Sequence, residues 1–265
     1  MLKLPLEGIR VVDITVVWAG PFACMMLGDL GAEVIRVESI HHFPSSTRGL
    51  MLKIPPSAMK AGSYYHRQYL DSEVGERPWD RFAYFNRTAR NKLSCCIDLT
   101  RPQGMEVFRR LVQVSDVFYE NNAVGVMEKL GITYAALSQW NPRVIFVSNP
   151  GFGNTGPYKD DLGFGVNIEA VTGHTWLRGY DDQDHPMHNT AVYHMDAAGG
   201  AAGVFAVLTA LHYRNRTGKG LYIDMAGAET AIPHFGEAIM DYIMNRRVQR
   251  TTGNRDIHGA APCGC

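Results

Sequence analysis

The first forty residues limit the fold more than any other stretch. "GIRVVDITVV" (8–17) is apolar and β-branched and reads as a strand. "AGPFACMMLGDLGA" (19–32) reads as a helix closed by Gly31, and "EVIRVES" (33–39) as a second strand. Strand, helix and strand in so few residues make a βαβ unit, and its two strands must run parallel because the helix returns the chain to its starting edge. The unit recurs. "KLSCCIDL" (92–99) reads as a strand, and "RPQGMEVFRRLVQVS" (101–115) as a helix with Pro102 in its first turn. "DVFYEN" (116–121) and "RVIFVSN" (143–149) read as strands around the helical "VGVMEKLG" (124–131) and "TYAALSQWN" (133–141). A helix is expected from Asp196 to about His212, a strand around Leu221–Asp224, and helix again in "ETAIPHFGEAIMDYIMNRR" (229–247). The fold class is α/β: a Rossmann-like parallel-sheet large domain over 1–225, then a linker and the start of a smaller domain over 226–265.

Residues 40–85 break the rhythm with Pro44, Pro55, Pro56, Pro78 and many aromatics. They read as a long excursion over the sheet edge or ligand crevice, since loops of this length are usually functional. Tyr64, Tyr65, Tyr69, Trp79 and Tyr84 hint at a larger or aromatic acid as ligand, against simple packing as the alternative. The ending "HGAAPCGC" (258–265) has no charged tail or closing helix and reads as a truncation.

Composition narrows the function. Lys+Arg and Asp+Glu balance at 26 each, so nothing points to nucleic acid or an anionic membrane. The N-terminus has no signal-peptide core, and no apolar run approaches a membrane span. The five cysteines suit neither a disulfide framework nor a zinc site, which suggests a reducing cytoplasm. No metal-ligand spacing is present.

In a sheet of this kind ligands bind beyond the carboxyl ends of the strands. Those ends supply Trp18, Asn121, Asn122 and the Gly-rich "NPGFGNTGPY" (149–158). Neither G-x-G-x-x-G nor G-x-x-x-x-G-K-[ST] is present, so the sheet can hold a nucleotide without being a standard NAD or ATP site. "YHMDAAGGAAG" (193–203) has two readings. Asp196 is a helix N-cap and "AAGGAAG" a close-packed helix face, or the bare backbone lets a ligand reach a nucleophilic carboxylate. Gly199 and Gly200 each cost a helix roughly 1 kcal/mol against Ala, so something must approach closely. His41, His42, His188 and His194 are weaker candidates for a base or ligand. "RNRTGKG" (214–220) reads as a basic helix end and Gly turn in preference to a phosphate site, and Asp224 reads as a cap.

Four ordered blocks resemble family III CoA-transferases, the relatives of formyl-CoA, carnitine and benzylsuccinate CoA-transferases. They are 6–38, 91–132, 141–158 and 195–229. The resemblance implies that Asp196 is the nucleophile. It takes an acyl group from a CoA thioester as an aspartyl anhydride and then carries CoA as an aspartyl thioester. It also implies CoA contacts at Val17, Trp18, Ala19, Arg36, Asn91, Lys92, Asn121, Asn122 and Lys129, though Trp18 departs from a polar residue. The substrates would be an acyl-CoA and an acceptor carboxylic acid, with no metal, and the assembly an interlocked homodimer. The rivals are an acyl-CoA isomerase or racemase on the same scaffold, and a noncatalytic CoA-binding subunit needing a partner chain. A racemase is disfavoured because Phe164, not His, stands near the second proton-transfer position.

Overall fold

The computed structural model describes residues 3–39, 41, 56–63, 66–180, 193–256, 259 and 261. β1 (Arg10–Asp13) leads to α1 (Ala19–Asp29) and β2 (Glu33–Glu38). The short helices α2 (Pro78–Arg81) and α3 (Ala83–Ala89) precede β3 (Lys92–Cys96). Then come α4 (Pro102–Gln113), β4 (Val117–Glu120), α5 (Val126–Lys129), α6 (Tyr134–Trp140) and β5 (Ile145–Ser148). The small helices α7 (Gly165–Val171) and α8 (His174–Leu177) lead to the long α9 (His194–Thr217), followed by β6 (Leu221–Asp224), α10 (Gly227–Ala231) and α11 (Gly236–Asn245).

The six strands form one parallel sheet in the order β3-β2-β1-β4-β5-β6. Every residue of β4 and β5 is buried, as strands covered on both faces must be. One face packs Val11, Val117 and Tyr119 against Leu27 of α1 and Val207 of α9. The other packs Val12, Phe118 and Phe146 against Phe108 of α4 and Leu137 of α6. The strand order reverses between β1 and β4, which places the ligand crevice at their carboxyl ends.

The α/β, Rossmann-like parallel fold therefore holds, with differences that have physical causes. β1 is four residues long, not ten. After the Ile14 N–H, which still reaches the Tyr119 carbonyl at 3.1 Å, the backbone is taken by side chains: Asp13 accepts from the Thr15 N–H at 2.9 Å, and Asn121 accepts from the Val16 N–H at 2.7 Å. α9 starts at His194, two residues before Asp196, and runs to Thr217 with Gly218 at φ 74° as its left-handed cap. Its glycines at 200 and 203 are packing devices. A Cβ on Gly200 would lie 2.9 Å from the Ala19 carbonyl oxygen, and one on Gly203 would lie 1.9 Å from the Tyr119 hydroxyl. α9 also corrects the expectation about span length, since its 24 residues are long and apolar enough to cross a membrane by length and composition. Here it lies against α1 and the sheet.

Two local readings resolve differently. "RNRTGKG" is a helix end and turn, with Arg214 buried and donating to Asp116 at 2.8 Å. Asp224 is not a cap, because Ala226 holds that position for α10 and Asp224 instead accepts from the Asn154 backbone N–H at 3.1 Å and its side chain at 2.9 Å. The excursion occupies the β2–β3 crossover. Within it Tyr69, Phe82 and Tyr84 are buried around Trp18 as a small satellite core, so Tyr69 and Tyr84 serve packing. Tyr64, Tyr65, His42, His188 and the Cys263–Cys265 end lie outside the described residues.

Candidate active site

The loop after β1 is built under strain. Val17 adopts φ 63°, a left-handed backbone that costs a β-branched residue about 1–3 kcal/mol. Asn121 holds it there, accepting from the Val16 N–H and returning a bond to the Val16 carbonyl at 3.0 Å. Gly20 makes room for this clasp, since a Cβ there would lie 2.8 Å from the Asn121 side chain. Trp18 stands at the N-cap of α1 and stacks on Phe22 with centroids 5.1 Å apart. Ala19 opens the helix, so its N–H has no partner within α1.

That N–H acts on the Asp196 carboxylate and favours its charged form. Asp196 is the third residue of α9, whose N-cap is Tyr193, so the capping reading is corrected. The N–H groups of Ala19 and Gly165, the first residues of α1 and α7, lie beside its carboxylate and favour its charged form. The fit at Gly165 is tight enough that a Cβ there would lie 2.0 Å from Oδ2. Helix N-termini favour an anion, yet the Asp196 pKa is pushed up to about 6. Burial is the largest cause and the neighbouring Glu169 carboxylate the next, with Arg87 and the two N–H groups acting against them.

Glu169, on α7, is a site residue that the sequence reading missed. It is 1% exposed, accepts from Arg178 at 2.9 Å and from the Met195 N–H at 3.3 Å, and so ties α7 to the turn carrying Asp196. His174, His194 and His234 gather beside it. His174 stacks on His194 at 4.9 Å, and His194 Nε2 lies 3.2 Å from His234 Nδ1. The signal lay in "GVNIEAV", a seven-residue helix too short for periodicity to reveal. Phe164 is the N-cap of that helix.

The expected CoA contacts separate into groups. Val17, Trp18, Ala19 and Asn121 meet at the loop beside Asp196. Asn122 adjoins them, with its N–H on the Glu120 carboxylate at 2.7 Å and its side chain on the Ile14 carbonyl at 3.3 Å. Lys129 is exposed at the end of α5. Arg36 and Lys92 lie beneath the loop, in the interior. Lys92 donates to Asp13 at 2.8 Å and to the Pro21 carbonyl at 2.9 Å, and Arg36 lies 3.6 Å from Asp13. Asn91 donates to Asp29, at the far end of α1 from Ala19.

Comparison with known proteins places this geometry in a family. Residues 6–265 match CoA-transferase family III. The chain is 34% identical to the succinyl-CoA–L-malate CoA-transferase beta subunit of Chloroflexus aurantiacus, covering 98% of this chain and 58% of that one. It is 34% identical to the succinate–glutarate CoA-transferase of Agrobacterium fabrum, covering 95% and 58%. A CAIB/BAIF family protein from Brucella suis superposes with a TM-score of 0.80 at 34% identity, covering 96% of this chain and 61% of that one. The chain thus spans somewhat over half the length of these relatives, and across that span it belongs to CoA-transferase family III.

Proposed function

We propose that this chain carries the nucleophile and the CoA-binding crevice of an enzyme that moves CoA between carboxylic acids. The observation that carries the reading is the Asp196 carboxylate, packed against Gly165 and set beside the start of α1 and the strained β1–α1 loop. In the first step an Asp196 oxygen attacks the thioester carbonyl and the carbonyl π electrons move to its oxygen. Collapse expels the CoA thiolate and leaves a mixed anhydride. The thiolate attacks the aspartyl carbonyl, the C–O bond of the anhydride breaks, and the donor acid leaves as carboxylate. The acceptor carboxylate then attacks the aspartyl thioester, and the released thiolate takes the new acyl group, freeing Asp196. No proton is consumed across the cycle. The backbone N–H groups at Asp196 orient the carboxylate and stand ready for negative charge that develops on its oxygens.

Both named relatives support short acids as donor and acceptor, being named for succinyl-CoA with L-malate and for succinate with glutarate. A second subunit, identical or different, is part of the proposal, and one relative is named a beta subunit. The two-base racemase reading gains nothing from Glu169, whose carboxylate is buried and engaged by Arg178 and the Met195 N–H.

The test is intact-mass spectrometry of the full-length protein mixed with a panel of acyl-CoA thioesters. The expected result is an acyl or CoA adduct that maps to Asp196 and is lost in Asp196→Ala. A protein that binds the thioesters yet never acquires an adduct would leave the binding-subunit reading in its place.

A further inference from the structure

Among the described residues Arg87 is a cation without a carboxylate. It lies on α3, and among the described residues its guanidinium makes no ion pair, whereas Arg77, Arg90, Arg101, Arg109 and Arg110 each hold an acidic side chain. It is placed by aromatic rings instead: its Cζ lies 4.8 Å from the Trp18 ring centroid and 4.3 Å from that of Tyr84. Rings hold a guanidinium through its face, which leaves the N–H fork in its plane for an acceptor. The rings are themselves fixed, since Trp18 and Tyr84 are 7% and 8% exposed and belong to the satellite core with Tyr69 and Phe82. Among the described residues the indole N–H of Trp18 is buried without a hydrogen-bond partner, a second unused donor at the same place.

The position of this cation is what gives it meaning. Trp18 immediately precedes Ala19, whose N–H meets Asp196, and Ala197, next to Asp196, packs against the same aromatic cluster. Arg87 therefore stands at the rim of the nucleophile's corner, near enough that its charge is felt at the carboxylate. A cation there has no use for an unsubstituted acyl chain. A second carboxylate on the acyl group would meet the guanidinium fork in the bidentate geometry that this pair favours.

Resting on the function proposed above, we infer that Arg87, held on Trp18 and Tyr84, is the specificity-determining residue that binds the distal carboxylate of a dicarboxylic acyl-CoA. Trp18 of the β1–α1 loop and Tyr84 of the excursion then act as the mount of a cation, and the preference is for an anionic acid.

The experiment separates this inference from the reading it rests on by measuring binding without chemistry. Succinyl-CoA and butyryl-CoA, which differ by the distal carboxylate against a methyl group, are titrated calorimetrically into full-length Asp196→Asn protein with and without Arg87→Gln. The expected result is tighter binding of succinyl-CoA by about tenfold or more, lost in Arg87→Gln while butyryl-CoA affinity stays put. Equal affinity for the two thioesters in the parent, or an equal loss of both on substitution, overturns the role of Arg87. The function proposal fails by a different sign, a wild-type protein that binds these thioesters without forming an adduct on Asp196.

Discussion

Asp13 and Asp196 both lie near the start of α1 and have opposite circumstances. Asp13 is fully buried, with the Lys92 ammonium at 2.8 Å, the Arg36 guanidinium at 3.6 Å and two bonds from Thr15. Burial alone would raise its pKa, but Lys92, Arg36 and Thr15 together hold it below the usual carboxylate value. Asp196 has no ion pair among the described residues, only two backbone N–H donors and an acidic neighbour, and its pKa is raised to about 6. On the function proposed above, the difference separates a carboxylate that holds the fold from one left available for chemistry. A residue type does not carry that distinction. The family resemblance implies ligand contacts for Lys92 and Arg36, yet Lys92 is spent on Asp13 and Arg36 on Asp13 and Glu38.

Removing the charge from each carboxylate should move stability in opposite directions. Asp13→Asn leaves the buried Lys92 ammonium facing an amide, while Arg36 keeps Glu38, and is expected to cost about 3–5 kcal/mol, read from chemical denaturation at pH 7. The sign with pH follows from the lowered pKa. Asp13 stabilises the fold above the usual carboxylate value, and that contribution fades as pH falls through its folded pKa, so the gap between wild type and Asp13→Asn should narrow in acid. A loss under 1 kcal/mol would erase the contrast. Asp196→Asn is expected to stabilise. The raised pKa means that the folded state favours the protonated acid, so its contribution is fully present below pH 3.8 and lost as pH rises through about 6. At pH 8 the neutral amide should therefore gain as much as about 2 kcal/mol over wild type, and below pH 4 almost nothing. Destabilisation of equal size at both pH values would show that Asp196 is a structural carboxylate after all.

The sheet was legible because each strand is a short β-branched run flanked by helix or turn signals, and β2 and β6 fall within a residue of where the sequence put them. The excursion and the site were legible only in part. Asp196 stands out by its Gly-rich setting, but two of those glycines serve packing on α1 and Tyr119, and the glycine that touches the carboxylate is Gly165, thirty-one positions upstream. Asn121 was named as a ligand contact and is found clasping the Val16 backbone. Arg87 and Glu169 carry no local motif. Their positions are set by α3 and α7, helices of seven residues each, where tertiary packing and not periodicity fixes the structure.

The smallest expected effect tests how the two acidic groups at the site are coupled. Glu169 raises the Asp196 pKa, second in size to burial, while Arg87 opposes it. In Glu169→Gln the negative charge disappears, and Arg178, which Glu169 holds at 2.9 Å, is left with its charge uncompensated. Both changes favour the ionised Asp196. Because attack requires the carboxylate, kcat/KM should rise with pH along a limb centred near 6 in the wild type, and this limb should move to lower pH in Glu169→Gln. Burial, the larger push, is untouched by the substitution, so the limb should stop short of the ordinary aspartate value of 3.8. An unmoved limb would mean that Arg178 already neutralises Glu169, and that burial alone sets Asp196 apart from Asp13.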